Sequence, residues 1–307
     1  EWMAYTQVSA EDAAELLDAA GMAGLVGISS LDGGWANSNF LLQLTDGTRL
    51  VLKVWNERTP EQVEELISHT CWIAEHGVAT PVPLQLGDGA RMLVKDGLAW
   101  MLLPYVDAGW LASDSDSLYS LGEVMAQLHA VPVCDGLSSS YYMGFRLWED
   151  MFEHADAGGA WSPFLRQLEQ EAVRFKEYIP DGLPNGIIHG DLFPDNVLGM
   201  SGKVLAVLDF EEMCVGAIAL DLVMAFVGFG WRDGEPVTER WQAILSGYES
   251  VREITETERA ALPILHRFAT LSVAAWRYWQ FVMNIPDTEH ADRYLEMTAR
   301  LDKPLPF

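Results

Sequence analysis

A chain of 307 residues, half of them apolar, can bury a sizeable core as one two-lobed globule or as two small domains, and the two-lobed reading is taken here. A formal charge of −26 argues against nucleic acid or an anionic membrane surface as partner, since both call for basic patches that release counterions. Three scattered cysteines, Cys71, Cys134 and Cys214, offer neither a disulfide framework nor a zinc site, and residues 217–231, the longest apolar candidate for a span, are broken by Asp221. With no basic-plus-apolar leader at the start, a soluble protein of a reducing cytoplasm is expected. The acidic excess reads as a solvated coat, with attraction of a cationic substrate as the alternative.

Residues 9–20 open with Ser9, carry acidic residues in the first turns and reach Gly21, which predicts a capped helix. Three strands follow. The first ends near Leu31, a turn of small residues (residues 32–38, DGGWANS) returns the chain through 40–45, and Asp46-Gly47 leads into 49–55. In that third strand Leu50, Leu52 and Val54 share one face, and Val51, Lys53 and Trp55 the other, so Lys53 can reach beneath the glycine turn. A lone strand lysine is ordinarily a solvated edge residue, and Gly33-Gly34 fits neither a Walker A loop nor G-x-G-x-x-G.

Thr59-Pro60-Glu61 starts a helix that runs to Glu75 and stops at His76-Gly77. Its Glu61, Glu64 and Glu65 read as a solvated face, with Glu64 or Glu65 as candidate partner of Lys53. Residues 84–103 predict two more short strands around Gly87-Asp88-Gly89 and Asp96-Gly97, completing a five-stranded sheet with one helix. The Pro- and Gly-framed segment 103–109 is a connector, placing a boundary between lobes of residues 1–103 and 104–307.

Beyond it the period becomes helical, with Leu118, Leu121, Val124, Met125 and Leu128 on one stripe. His129 reads as a core or capping histidine, since no second metal-type residue stands four positions on. The aromatic-rich residues 141–180 read as helical core, and further helices are predicted over 216–229, 237–252 and 256–284. In the last, apolar residues surround Arg277 on nearly every side, so its guanidinium needs an internal carboxylate or a substrate carboxylate.

Chemistry concentrates in residues 187–210, IIHGDLFPDNVLGMSGKVLAVLDF. Two apolar runs joined by Ser201-Gly202 predict a hairpin that brings Asp191, Asn196 and Asp209 together at one edge. An Asp, four residues, then an Asn is the spacing of a kinase catalytic loop. There the Asp accepts the proton of the attacking hydroxyl, and the Asn and a second Asp hold Mg²⁺ on nucleotide phosphates. Asp195 reads as a turn residue.

HGDLFPDN followed by VLDF resembles the aminoglycoside phosphotransferase and choline kinase superfamily, small-molecule relatives of the protein kinases; Gly190 stands where protein kinases have Arg, and Glu211 where they have Gly. Within it the nearest resemblance is to the phosphotransferase-type homoserine kinases. It is carried by Asn37-Ser38-Asn39-Phe40, HGDLFPDN, LDF with ALDL, and GYESVREITETERAALPILHRFATL, over nearly the whole chain.

The resemblance implies a protein-kinase-like α+β fold, with a small antiparallel sheet lobe and a larger, mainly helical lobe. It implies ATP as co-substrate and Mg²⁺ as cofactor. Asp191 would be the catalytic base, Asn196 and Asp209 the metal ligands, and Lys53 the holder of phosphates under the turn of Gly34 and Ser38; the backbone of Pro104 and Val106 would pair with adenine. Asp221 would tie the catalytic loop by hydrogen bonds rather than touch metal. The acceptor would be a small hydroxyl-bearing molecule, homoserine or a close amino alcohol, its amino group met by Glu211 or Glu212 and a carboxylate by Arg277. A choline, ethanolamine, aminoglycoside or methylthioribose kinase, or a nucleotide-binding pseudokinase, are the alternatives.

Overall fold

Ser9 starts the first helix, α1 (Ala10–Ala19), through a capping box: its hydroxyl accepts the Asp12 N–H at 3.1 Å, and the Asp12 carboxylate accepts the Ser9 N–H at 3.0 Å. The structure, a computed structural model, describes residues 6–31, 37–284, 286 and 289–307. The chain forms two compact units, residues up to 109 with 205–208, and residues 110–204 with 209–307.

In the first unit β1 (Leu25–Ser30), β2 (Asn37–Leu44) and β3 (Arg49–Trp55) make an antiparallel meander. Next comes α2 (Pro60–Glu75), capped by Thr59, then β4 (Leu93–Lys95) and β5 (Leu98–Pro104). The five strands form one antiparallel sheet in the order β1-β2-β3-β5-β4. Side-chain alternation divides β3 between two cores. Leu50, Leu52 and Val54 pack with Ala13, Leu16 and Leu17 of α1, whereas Trp55 packs with Val63 and Ile67 of α2 and with Ala99 and Met101 of β5. Lys53 therefore lies on the α2 side. Of the two turns expected in 84–103, only Asp96-Gly97, both at positive φ, joins strands. Residues 86–90 close on themselves through the Leu86 N–H to Ala90 O bond, which takes the backbone groups a strand would use.

The second unit begins at Trp110, the last residue of β6 (Gly109–Trp110), and continues with α3 (Ser115–His129), α4 (Leu147–Asp156) and α5 (Pro163–Tyr178). Four strands follow in the chain, β7 (Asn185–Ile188), β8 (Val197–Met200), β9 (Lys203–Val207), whose residues from 205 on belong to the first unit, and β10 (Cys214–Ala217), and then α6 (Ala219–Phe229). The short hairpin of β11 (Trp231–Arg232) and β12 (Glu235–Pro236) precedes α7 (Thr238–Glu249), α8 (Glu256–Tyr278) and α9 (Arg293–Thr298). Helices α3 and α7 touch backbone to backbone: a Cβ on Gly122 would lie 2.2 Å from Ile244 O, and one on Gly247 would lie 1.9 Å from Tyr119 O. The expected aromatic core is present, with Phe268 of α8 against Trp148 and Phe175 at ring separations of 5.3 and 5.2 Å.

Two helix predictions are corrected. Residues 216–217, the start of the helix expected over 216–229, are strand, because β10 completes its hydrogen bonds against β7, and the α-helix over 256–284 gives way after Tyr278 to a π-turn over Trp279–Asn284. Among the described residues no helix is long and apolar enough to cross a membrane.

Candidate active site

Ile188 pairs with Cys214, so the chain between them is a closed excursion whose two ends are neighbours. Within it β8 and β9 are joined by Ser201-Gly202, both at positive φ (52° and 75°), the geometry of a type I′ hairpin. Asp191 leaves the end of β7, Asn196 closes the 3₁₀ turn Pro194–Asn196, and Asp209 stands before the turn Phe210–Glu212 that leads into β10. The β7–β10 pair thus does much of the gathering that the sequence assigned to the hairpin alone.

Asp191 is held from several sides. Its backbone carbonyl accepts from Phe193 N–H at 2.9 Å and from the Asn196 amide at 2.8 Å, and its N–H donates to His189 Nδ1 at 3.2 Å. The Asn196 amide also donates to Asp191 Oδ2 at 3.0 Å. Burial, then the charges of Asp195 and Asp209, push the Asp191 carboxyl up from the usual carboxylate range to about 7, against the opposing Asn196 hydrogen bond. A carboxyl near neutrality is suited to accept a proton.

Beneath the loop sits Asp221 of α6, fully buried. Its two oxygens accept the backbone N–H groups of His189 at 2.7 Å and Gly190 at 2.9 Å, and Oδ2 lies 3.1 Å from His129 Nε2. His129 Nδ1 is 2.8 Å from the Tyr248 hydroxyl, which accepts from Arg252 at 3.5 Å, and Arg252 donates to Glu258 at 2.9 Å. With Nε2–H given to Asp221 and Nδ1 accepting from Tyr248, every bond from Arg252 to Asp221 has a donor and an acceptor. The scaffold reading of Asp221 and the core reading of His129 both match this network.

Gly190 explains why the loop reads HGD. Its φ is +81°, and a Cβ there would lie 2.9 Å from both Glu212 O and the Tyr141 ring. The Tyr141 hydroxyl donates to Gly190 O at 2.7 Å. Burial and the charge of Asp191 raise this phenol well above its ordinary value, so it remains a neutral donor. Sequence reading placed Tyr141 only in the aromatic core; no motif around it points to the loop.

Asn196 Oδ1, left over once its amide binds Asp191, and the carboxylate of Asp209 are hard oxygen donors of the kind Mg²⁺ takes, one or two from protein and the rest from phosphates and water. Among the described residues no cluster of three or more His, Cys, Asp or Glu is arranged to hold a metal by itself. Asp209 has φ 58°, ψ 72°, a left-handed conformation unusual for a residue with a Cβ. Phe210, buried, sets its ring 4.6 Å from that of His189.

In the first unit Lys53 is 7 % exposed, with Nζ 3.9 Å from the centroid of the Trp55 ring. Ser38 is buried at the start of β2, its hydroxyl accepting from Asn56 Nδ2 at 3.0 Å. Gly34 lies outside the described residues. Pro104 ends β5 opposite Leu50, and Val106 follows, its carbonyl accepting from Ala108 N–H. Glu64 and Glu65 are exposed, and the buried side of α2 is Val63, Ile67 and Ile73, so the helix turns apolar residues rather than these glutamates inward.

Glu211 is half-buried in the turn after Asp209, and its charge reaches Asp191. Arg277 donates to Glu296 of α9 at 2.8 Å and to Arg293 O at 3.0 Å. Of the two partners left open for it, the internal carboxylate is in place. Cys71, Cys134 and Cys214 are free thiols, and burial pushes Cys214 up to about 12.

This α+β fold, an antiparallel five-stranded sheet followed by a helical part that carries the Asp191 loop, is protein-kinase-like, and it belongs to small-molecule phosphotransferases. The chain is a member of the phosphotransferase enzyme family, whose model matches residues 27–254. It is 25 % identical over 283 residues to a homoserine kinase of Sinorhizobium fredii, covering 91 % of this chain and 87 % of that one. Among solved structures it is similar to an amicoumacin kinase in complex with AMP-PNP, Ca²⁺ and Ami (TM-score 0.70, 13 % identity, 91 % and 90 % of the two chains). It is also similar to a microcompartment-associated aminopropanol kinase (TM-score 0.68, 19 % identity, 95 % of both).

Proposed function

We propose that this protein transfers the γ-phosphate of ATP to a primary hydroxyl of a small amino acid or amino alcohol, with homoserine as the leading acceptor. The observation that carries this reading is the Asp191–Asn196 pair on a loop whose backbone is fixed by Asp221. The Asp191 carboxylate takes the hydroxyl proton as the oxygen attacks, and Tyr141 and Asp221 keep the loop from turning away. Asn196 and Asp209 would hold Mg²⁺, which when bound neutralises charge on the transferring phosphoryl group. Lys53 and Ser38 bind phosphate oxygens, and the Pro104 and Val106 backbone pairs with adenine. Similarity to a homoserine kinase along most of the chain supports the acceptor, and the AMP-PNP of the amicoumacin kinase supports the nucleotide.

A second acceptor class, an amino alcohol without a carboxylate, is favoured by two observations. Arg277 is engaged by Glu296, and the charges of Asp195, Asp209 and Glu211 all reach Asp191, which suits a cationic acceptor met by Glu211. An ADP-release assay over homoserine, serine, threonine, choline, ethanolamine, aminopropanol, methylthioribose and aminoglycosides decides. Turnover confined to homoserine supports the leading reading, turnover confined to amines without a carboxylate supports the second, and no turnover with any acceptor overturns both.

A further inference from the structure

β5 ends opposite Leu50 at Pro104, and the ladder is carried one residue further by Tyr105, whose N–H donates to Arg49 O at 3.3 Å. Arg49 and Tyr105 therefore face each other across the two strands, and their side chains meet, the guanidinium lying over the Tyr105 ring at 4.5 Å from its centroid. The same guanidinium reaches past Val106 to the next residue, with Nη2 2.8 Å from Asp107 Oδ2. Arg49 thus holds the residue before Val106 by backbone and ring, and the residue after it by charge. Val106 itself lies beyond the last residue of β5, where no ladder fixes its backbone, and its carbonyl turns along the chain to the Ala108 N–H at 2.9 Å, a three-residue turn about Asp107.

We propose that Arg49 is the positioning residue for the nucleobase, holding the Val106 backbone in the conformation that pairs with adenine. A segment that had to be ordered on binding would subtract its lost conformational freedom from nucleotide affinity, whereas a grip on both sides of Val106 sets that conformation beforehand. A planar guanidinium suits both tasks, since its face stacks on a ring while its edge donates to a carboxylate. Asp107 is exposed, so water screens the ion pair and the effect on affinity is modest. This inference rests on the adenine-pairing role of Pro104 and Val106 given above.

The test titrates Mg·ATP and Mg·tripolyphosphate, which has no base, in parallel, with melting temperature measured alongside. Arg49→Met keeps an apolar stem and removes both side-chain contacts, Arg49→Lys keeps the charge without the stacking face, and Asp107→Asn removes the ion pair alone; the backbone bond to Tyr105 involves none of these side chains. We expect Mg·ATP binding weakened about fivefold by Arg49→Met and about twofold by Arg49→Lys and by Asp107→Asn, with Mg·tripolyphosphate binding unchanged. Arg49→Met and Asp107→Asn alter the net charge in opposite senses, so a loss confined to ATP in both is not an effect of the protein's field on an anion. Undiminished Mg·ATP affinity in Arg49→Met, or equal losses with the two ligands, would overturn the proposal. If Arg49→Met does not fold, Asp107→Asn at its exposed position reads the same selectivity. A parent protein that binds Mg·tripolyphosphate as tightly as Mg·ATP would instead overturn the adenine reading itself, a failure visible before any substitution and so distinct from that of Arg49.

Discussion

Asp221 Oδ1 accepts the backbone N–H of Gly190 at 2.9 Å, one residue before the proposed base Asp191. The carboxylate belongs to α6, whose buried residues include Leu220, Leu222, Val223 and Phe226, so the loop is tied to a densely buried helix of the second unit. Replacing Asp221 by Asn exchanges an acceptor oxygen for an amide that cannot accept, facing two backbone N–H groups and His129. We expect a stability loss of about 2–4 kcal/mol, and kcat falling far more than KM for ATP. Thermal melting with steady-state kinetics checks this; an unchanged kcat would remove Asp221 from the loop's support.

Asp191 gives a pH prediction. Its folded-state carboxyl titrates near 7 rather than 3.8, so the folded state holds a proton that the unfolded chain releases. That contribution to stability is fully present below about pH 4 and is lost as pH rises through about 7. A shift of this size is worth at most about 4 kcal/mol, and less for a side chain that water partly reaches. Asp191→Asn should therefore melt higher than the parent at pH 8, with the gap closing toward pH 4. Its turnover should vanish while Mg·ATP still binds. Parent activity should rise with pH as the base ionises, the midpoint falling as Mg²⁺ approaches saturation. Melting curves of equal pH slope for the two proteins would contradict the buried, protonated base.

Asp209 separates metal from base. Asn tolerates the left-handed backbone at this position, so Asp209→Asn removes charge without forcing the turn to refold. Metal-dependent nucleotide affinity should drop on the order of tenfold or more. Losing one of the charges that raise the Asp191 carboxyl should also move the activity limb to lower pH. Isothermal titration with Mg·ATP and a pH–rate profile read the two effects, and affinity unchanged from the parent would refute the metal assignment.

Features legible in the sequence were those written in short-range pattern. The Ser9 and Thr59 caps, the alternation of β3, the turn at Ser201-Gly202 and the Asp191-to-Asn196 spacing each depend on residues within a few positions of one another, and all stand where the pattern put them. What the sequence did not disclose depends on partners far along the chain. Gly216 and Ala217 of β10 are strand because they pair with Gly186 and Asn185 of β7, far earlier in the chain, and a short apolar run before a helix reads as the helix's own beginning. Tyr141 reaches Gly190 across 49 positions and Tyr248 reaches His129 across 119, and neither carries a motif. Helical phase places Val63 and Ile67 on the buried side of α2, whereas Glu64 and Glu65 are exposed.

Arg277 tests the boundary between architecture and substrate recognition. Its side chain is 11 % exposed, and Glu296, 54 % exposed, accepts from it at 2.8 Å while also accepting from Arg300 at 2.5 Å. One carboxylate thus links α8 to the end of α9, and Arg277 adds a second tie through the carbonyl of Arg293. Because Glu296 is largely in water, the ion pair itself contributes little, about 1 kcal/mol, and the part-buried bond to the Arg293 carbonyl contributes about as much again. Arg277→Met keeps the apolar stem in place and deletes both ties. The expected result is a melting temperature lowered by several degrees with KM for acceptor and for ATP unaltered; Glu296→Gln should reproduce part of the loss and add little on top of Arg277→Met. A raised acceptor KM without loss of stability would return Arg277 to the acceptor's carboxylate and, with it, favour homoserine over an amino alcohol.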